Sequence, residues 1–210
     1  MADIQLRTFV FLDSMQSQFA SFVASTARGY LPRSGQAALY VEVAPGIAIN
    51  RITDVAIKHA DVIPAVQVVE RSFGLLEIHS DSQSEVRAAG RRILDYLGQE
   101  EEARLAPQIL TSEIITNVDD YQTMLINRNR SGMMILGGDA LYVLEVHPAG
   151  YSVIAANEAE KHSPVRLVNM RPFGAVGRLQ LCGSESEIDE ARKAVHNALD
   201  AIKGVPNEGR

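Results

Sequence analysis

A chain of 210 residues is roughly 1.4 typical domains, too long for a minimal module and short for two ordinary enzyme domains. With 46% hydrophobic and 22% charged residues it can bury a core, which excludes intrinsic disorder. Twenty Lys and Arg against 26 Asp and Glu, a formal net charge of −6, leave no basic field to hold nucleic acid or an anionic membrane.

In chain order, Leu6 to Leu12 predicts a strand. Asp13-Ser14 can N-cap the helix that follows, with Phe19, Phe22, Val23, Thr26 and Ala27 facing inward, and Gly29 is placed to end it. Ala37 to Val43 predicts a second strand, Pro45-Gly46 turns it, and Ala48, Ile52, Val55 and Ala56 form the apolar stripe of a second helix. Two more strands come next, Ile63 to Val69 and Leu75 to His79. The connection Glu70-Arg71-Ser72-Phe73-Gly74 is short enough to make them antiparallel neighbours. Ser82 with Glu85 reads as a capping box opening a helix whose buried stripe is Val86, Ala89, Ile93 and Leu97.

The same syntax then starts again. Glu42-Val43-Ala44-Pro45 returns as Glu145-Val146-His147-Pro148, Lys58-His59 as Lys161-His162, and Phe73-Gly74 as Phe173-Gly174. Ser82 and Glu85 return as Ser184 and Glu187, ahead of the stripe Ile188, Ala191, Val195 and Leu199, and Gly29 and Gly35 match Gly132 and Gly138. A repeat at about 100 residues makes two homologous units. The charged stretch Gln99 to Pro107 reads as the linker, dividing the chain into residues 1–103 and 104–210. Each unit is strand-helix-strand-helix-strand-strand-helix, an antiparallel sheet covered by helices. The fold class is α+β, ferredoxin-like in style.

Searches for chemistry return little. No P-loop, no GxGxxG after a strand, no HExxH and no GxSxG occurs. His59, His79, His147, His162 and His196 lack the short-range pattern of a metal site. The single cysteine, Cys182, excludes a disulfide framework within the chain and suits a reducing cytoplasm. It closes the strand candidate that begins at Arg178, where a small buried hydrophobe is the usual occupant. Arg128-Asn129-Arg130 reads as a solvated loop. Zero Trp and 6% aromatic residues remove the stacking surfaces of single-strand binders. Met1 to Arg7 shows no secretion signal, and no apolar run reaches the ~18 residues of a membrane span. Neither catalytic residues, nor a metal, nor a cofactor is expected.

Asp54 followed by Lys58-His59-Ala60-Asp61-Val62, then a strand, a short glycine-containing loop and another strand, resembles a bacterial microcompartment (BMC) shell domain. Asn157 followed by Lys161-His162-Ser163-Pro164-Val165 carries the series a second time. Ordinary members begin at the strand corresponding to Ala37 to Val43, whereas here a strand and helix that normally come last, Leu6 to Ala27, come first. Each unit thus resembles a circularly permuted BMC domain, and two in tandem are similar to the trimer-forming shell proteins of gated-pore carboxysome type.

The resemblance implies a homotrimer serving as a pseudohexameric tile, packed with other BMC shell hexamers and pentamers in the bacterial cytoplasm. Small metabolites would cross a central pore, and no enzyme activity is implied. The pore loops would be Glu70, Arg71, Ser72, Phe73 and Gly74 in the first unit, with Glu70-Arg71 as the gate pair, and Arg171, Pro172, Phe173 and Gly174 in the second. The second loop lacks the pair, so gating is expected of the first. Lys58, His59, Lys161 and His162 are expected at the tile edge. Face-to-face stacking of two trimers, found in the gated type, is not specified by any residue. Cys182 lies outside the pore loops, so an iron-sulfur cluster there is not expected.

The residues alone leave two other readings open. Duplicated ferredoxin-like units also build small-molecule-binding regulatory proteins. A small enzyme with a site between the halves would need a buried, pKa-shifted acid and base in a cleft.

Overall fold

The computed structural model describes residues 4–207. The first half runs β1 (Gln5–Leu12), α1 (Ser17–Thr26), β2 (Ala37–Ala44), α2 (Ile49–His59), β3 (Ile63–Glu70), β4 (Phe73–Ser80) and α3 (Gln83–Leu97). The second runs β5 (Gln108–Ile115), α4 (Asp120–Asn129), β6 (Ala140–His147), α5 (Ser152–His162), β7 (Arg166–Arg171), β8 (Gly177–Gly183) and α6 (Glu185–Asp200). Among the described residues these strands make two antiparallel four-stranded sheets, ordered β1-β2-β4-β3 and β5-β6-β8-β7. The strand that opens each half therefore lies at a sheet edge, beside the strand that opens an unpermuted domain.

Short 3₁₀ turns, Gly46–Ala48 and Ala149–Tyr151, lead from β2 into α2 and from β6 into α5. From Gln5 and Gln108 through Ala37 and Ala140 to Ile49 and Ser152, the halves correspond at a constant offset of 103 residues.

Helices α2 and α3 cover one face of the first sheet, where Leu39, Val41, Ile52, Ile78, Val86, Ala89 and Ile93 form a core. On the other face α1 packs through Phe19, Phe22 and Val23 in a cluster that continues into Leu144, Ala156, Leu181 and Ile188 of the second half. One core thus crosses the junction, and burial on this scale, about 25 cal/mol per Å² of apolar surface, holds the halves in register.

Several sequence expectations change in detail. Asp13-Ser14 does not cap α1, which begins at Ser17 with Gln16 in the cap position and no local side chain on its N–H groups. Gly29 does not end the helix either. Its N–H donates to the Ala65 carbonyl at 3.0 Å, and a Cβ there would lie 2.4 Å from the Pro64 oxygen, so glycine is needed for close approach. The buried stripe of α2 is Ile49, Ile52, Thr53 and Ala56, because the 3₁₀ turn rotates the helix relative to a start at Ala48. At Ser82 half of the box forms: its side chain accepts from the Glu85 N–H, but the Glu85 carboxylate takes the Asp61 N–H instead of reaching back, whereas Ser184 and Glu187 form the full reciprocal box.

Candidate functional site

Strands β3 and β4 stay paired down to Glu70 opposite Phe73, so the first candidate loop is a two-residue turn, Arg71-Ser72. Such hairpin turns require a left-handed backbone, and Arg71 adopts it at φ 53°. Gly74 is not part of the turn. It lies buried in β4, where a Cβ would stand 2.3 Å from the Gly46 oxygen.

The second hairpin last pairs at Arg171 and Arg178, and residues 172–176 lie between the two strands as its loop, with Gly174 at φ 102°. The counterpart of Gly74 is Gly177, whose Cβ would stand 2.2 Å from the Ala149 oxygen. Arg71 therefore corresponds to Gly174, the two sharing the left-handed conformation. The sequence pairing of Phe73-Gly74 with Phe173-Gly174 is out of register, because a recurring Phe-Gly dipeptide coincides with neither the turn nor the packing glycine.

The tips of the two hairpins meet. Arg171 Nη2 stands 3.4 Å from Glu70 Oε1, half exposed, and the Arg171 guanidinium lies 5.1 Å from the centroid of the Phe173 ring. Glu70, Arg71, Ser72, Phe73, Arg171, Phe173 and Gly174 line one cleft of about 360 Å³. Ala175, Val176 and Arg178 also line it, and sequence reasoning missed them by placing the second loop too early. Pro172 faces a neighbouring cleft of about 560 Å³, which Arg171 and Phe173 also border. Glu70 is thus engaged by the second half, not by Arg71. Among the described residues the Arg71 guanidinium has no hydrogen-bond or ion-pair partner. Three arginines and one glutamate around an open cleft can bind and repel anions, but they present no nucleophile and base pair.

Behind the first hairpin lies a polar cluster the sequence did not reveal. Arg7 and Glu42 are 4% and 1% exposed. Arg7 Nε donates to Glu42 Oε1 at 2.9 Å, and its Nη2 lies 3.0 Å from His147 Nε2 in the second half. Glu42 also accepts from Thr8 Oγ1 at 3.1 Å and from the Gly150 N–H at 2.8 Å. Burial raises the Glu42 carboxyl pKa against the opposing pull of Arg7. Burial first, and Arg7 second, hold the His147 imidazole below its ordinary range. The only signal in the sequence is a lone charge inside each of two otherwise apolar strands, which obliges a buried partner without naming it.

Lys58, His59, Lys161 and His162 stand apart from this region. The near end of α2 abuts Gly74 through Gly46, and Lys58-His59 occupy the far end, as Lys161-His162 do on α5. Lys58 pairs with Asp54 at 2.5 Å and Lys161 with Glu158 at 3.6 Å. The His59 and His162 Nδ1 atoms lie 2.8 and 2.9 Å from the Val55 and Glu158 carbonyls, so each ring folds back on the carbonyl one turn earlier in its own helix. All four side chains stay on the surface.

Among the described residues no cluster of His, Cys, Asp and Glu is arranged to hold a metal ion, and no helix is long and apolar enough to cross a membrane. Cys182 is buried, which pushes its thiol up to about 11 and keeps it protonated.

Two permuted α+β units in tandem, with their hairpins converging, define a tandem-domain BMC shell protein. The family description "CsoS1D N-terminal domain" matches residues 6–103. The chain is 46% identical over 206 residues to the carboxysome shell protein CcmP of Synechococcus elongatus, covering 98% of this chain and 97% of that one. It is 48% identical over 200 residues to the carboxysome shell protein CsoS1D of Hydrogenovibrio crunogenus, covering 95% and 98%. Among solved structures, a fused permuted hexameric shell protein from the RMM microcompartment superposes with a TM-score of 0.93 at 45% identity, over 96% of this chain and 99% of that one. A double ringed trimeric shell protein from the same microcompartment gives 0.94 at 42% identity, over 97% and 100%. The chain belongs to this CsoS1D and CcmP family of carboxysome shell proteins. It is a structural protein of a microcompartment shell in the bacterial cytoplasm, which sets aside the regulatory-protein reading.

Proposed function

We propose that the chain closes with two further copies into a homotrimer, a pseudohexagonal tile that catalyses nothing and whose central pore passes small metabolites. Residues 1–103 and 104–210 supply the six units of the ring. The supporting observation is a set of surfaces used once inside the chain and left unused a second time.

Within the chain, the Gln18 and Phe19 N–H groups of α1 donate to Glu160 of α5 at 2.8 Å each, and Glu42 takes the Gly150 N–H. The offset of 103 residues carries Gln18 to Tyr121 on α4 and Glu42 to Glu145. It carries Glu160 back to Ile57 on α2 and Gly150 back to Ile47. The apolar counterparts are open: Tyr121 is 81% exposed, Ile47 70% and Ile57 45%, and Met124 and Leu125 on α4 are 64% and 65%, whereas the Tyr121 N–H is taken by Asp119 and Glu145 by Arg178 within the chain. Large apolar side chains do not usually gather on a free surface. The α4 side of one copy fits the α2 side of the next, a head-to-tail contact that makes a ring when its rotation closes.

Around such an axis, hairpins bearing Glu70-Arg71 alternate with hairpins bearing Phe173-Gly174. An exposed ion pair contributes about 0 to 1 kcal/mol, so three Glu70-Arg171 pairs bias the aperture without locking it. Arg71, free to turn, is the gate residue of this reading. Lys58, His59, Lys161 and His162 meet other shell hexamers and pentamers at the tile edge. Pairing of two rings face to face carries over from the double ringed neighbour.

Sedimentation equilibrium tests the assembly. The wild type should run as a trimer or a pair of trimers and Leu125→Asp as a monomer, and a monomeric or dimeric wild type would overturn the reading.

A further inference from the structure

Arg7 is the side chain that reaches both the junction between the halves and the first hairpin. A guanidinium can do this because its donors lie in its plane while its faces stay free for a ring. Here the edge serves Glu42 at 2.9 Å and His147 at 3.0 Å, and the face lies 3.6 Å from the centroid of Phe73. His147 is fixed in turn by Asn207 Oδ1, 3.0 Å from its Nδ1. Its Nδ1 therefore carries the proton and its Nε2 accepts from Arg7. Phe73 follows directly on Arg71-Ser72 and is the last residue to pair with Glu70. The Ser72 carbonyl accepts the Gly46 N–H at 2.7 Å, which leaves the ring as the lever between this turn and the junction.

The second hairpin has no equivalent lever. The counterpart of Arg7 is Leu110, 46% exposed, that of Phe73 is Val176, and Glu145 pairs with Arg178 at 2.9 Å. The second hairpin meets the first half at its tip, through Arg171 and Glu70, whereas the hairpin bearing Arg71 is joined through Phe73 and Arg7 to the buried cluster at the junction of the chain's two halves.

We infer that Arg7 is a positioning residue which, through Phe73, sets where the Arg71 turn stands and passes changes at the junction to it. The inference rests on the reading of the hairpins as pore loops, and it adds how the first of them is held.

Hydrogen exchange on the full chain tests it, with Arg7→Lys, Phe73→Leu and the double variant. Lysine keeps a positive charge beside Glu42 but has no planar face. Amides of residues 71–74 should exchange about tenfold faster in each single variant, with α2, α3 and the assembled mass unchanged. The double variant should match the singles, since both remove one contact. A purely structural loss would instead loosen the junction and helices together and would add in the double variant. Wild-type exchange at residues 71–74 in the variants, or additive effects, would overturn the inference. Should Arg7→Lys fail to assemble, Phe73→Leu alone decides, because it leaves the Arg7 to Glu42 pair in place. The pore reading fails by a different result, hairpins lying away from the ring axis in an electron-microscopy map, and the exchange coupling would survive it.

Discussion

Arg71 holds a left-handed backbone that an L side chain adopts at a cost of roughly 1–2 kcal/mol, at a place where the other half has Gly174. Glycine relieves that cost and gives back about 0.5–1 kcal/mol through the freedom of its unfolded chain. Arg71→Gly should therefore unfold at higher urea than Arg71→Ala, by about 1 kcal/mol. Equal midpoints would show that position 71 carries no strain. His147 makes a second prediction. Its pKa is lowered from an ordinary 6.5, so its contribution to stability is complete above that value and is lost as pH falls through the lowered one. Glu42, raised from 4.5, works the other way, contributing below its ordinary value and losing that contribution as pH rises through the raised one. His147→Gln keeps polar partners for Arg7 and Asn207 but cannot titrate. Urea midpoints at about pH 7.5 and about pH 5 should differ less in the variant than in the wild type.

Helix α1 is capped from the other half of the chain. Two of its orphan N–H groups, those of Gln18 and Phe19, end on the Glu160 carboxylate at 2.8 Å, while α4 is capped locally by Asp119. Glu160→Ala should cost about 1–2 kcal/mol of stability and speed exchange in the first turn of α1, with Glu160→Gln falling between. A melt unchanged by Glu160→Ala would mean that water replaces the carboxylate. This contrast also marks what the sequence could convey. Strands, the stripe of α6 and the Ser184 box depend on neighbours a few residues away, and they read correctly from alternation and spacing. The α1 cap, the pairing of Arg7 with His147 and the contact of Glu70 with Arg171 join residues more than 100 apart, so no local pattern carries them. The first turn, Arg71-Ser72, is legible, but the extent of the second loop and the register between the hairpins are not, since a chance Phe-Gly dipeptide outweighs the true packing glycine, Gly177.

At the scale of the whole molecule, Lys58 and Lys161 mark the same end of α2 and α5 and face solvent, whereas the surfaces proposed to close the ring are the apolar side chains of α4 on one side and Ile47 and Ile57 on the other. Lys58→Asp with Lys161→Asp should thus leave the sedimenting mass unaltered and abolish extended sheets in electron micrographs. Sheets that persist would remove the edge role. In the proposed ring, the exposed Tyr121, Met124 and Leu125 on one side and Ile47 and Ile57 on the other give each copy two unlike ends. A chain spoiled at one end still offers the other, so in the proposed ring it would be taken up and would then stop the circle from being completed. Damage confined to α4 would accordingly behave as a terminator, disabling intact copies made in the same cell in proportion to its abundance, whereas damage to both ends would be silent.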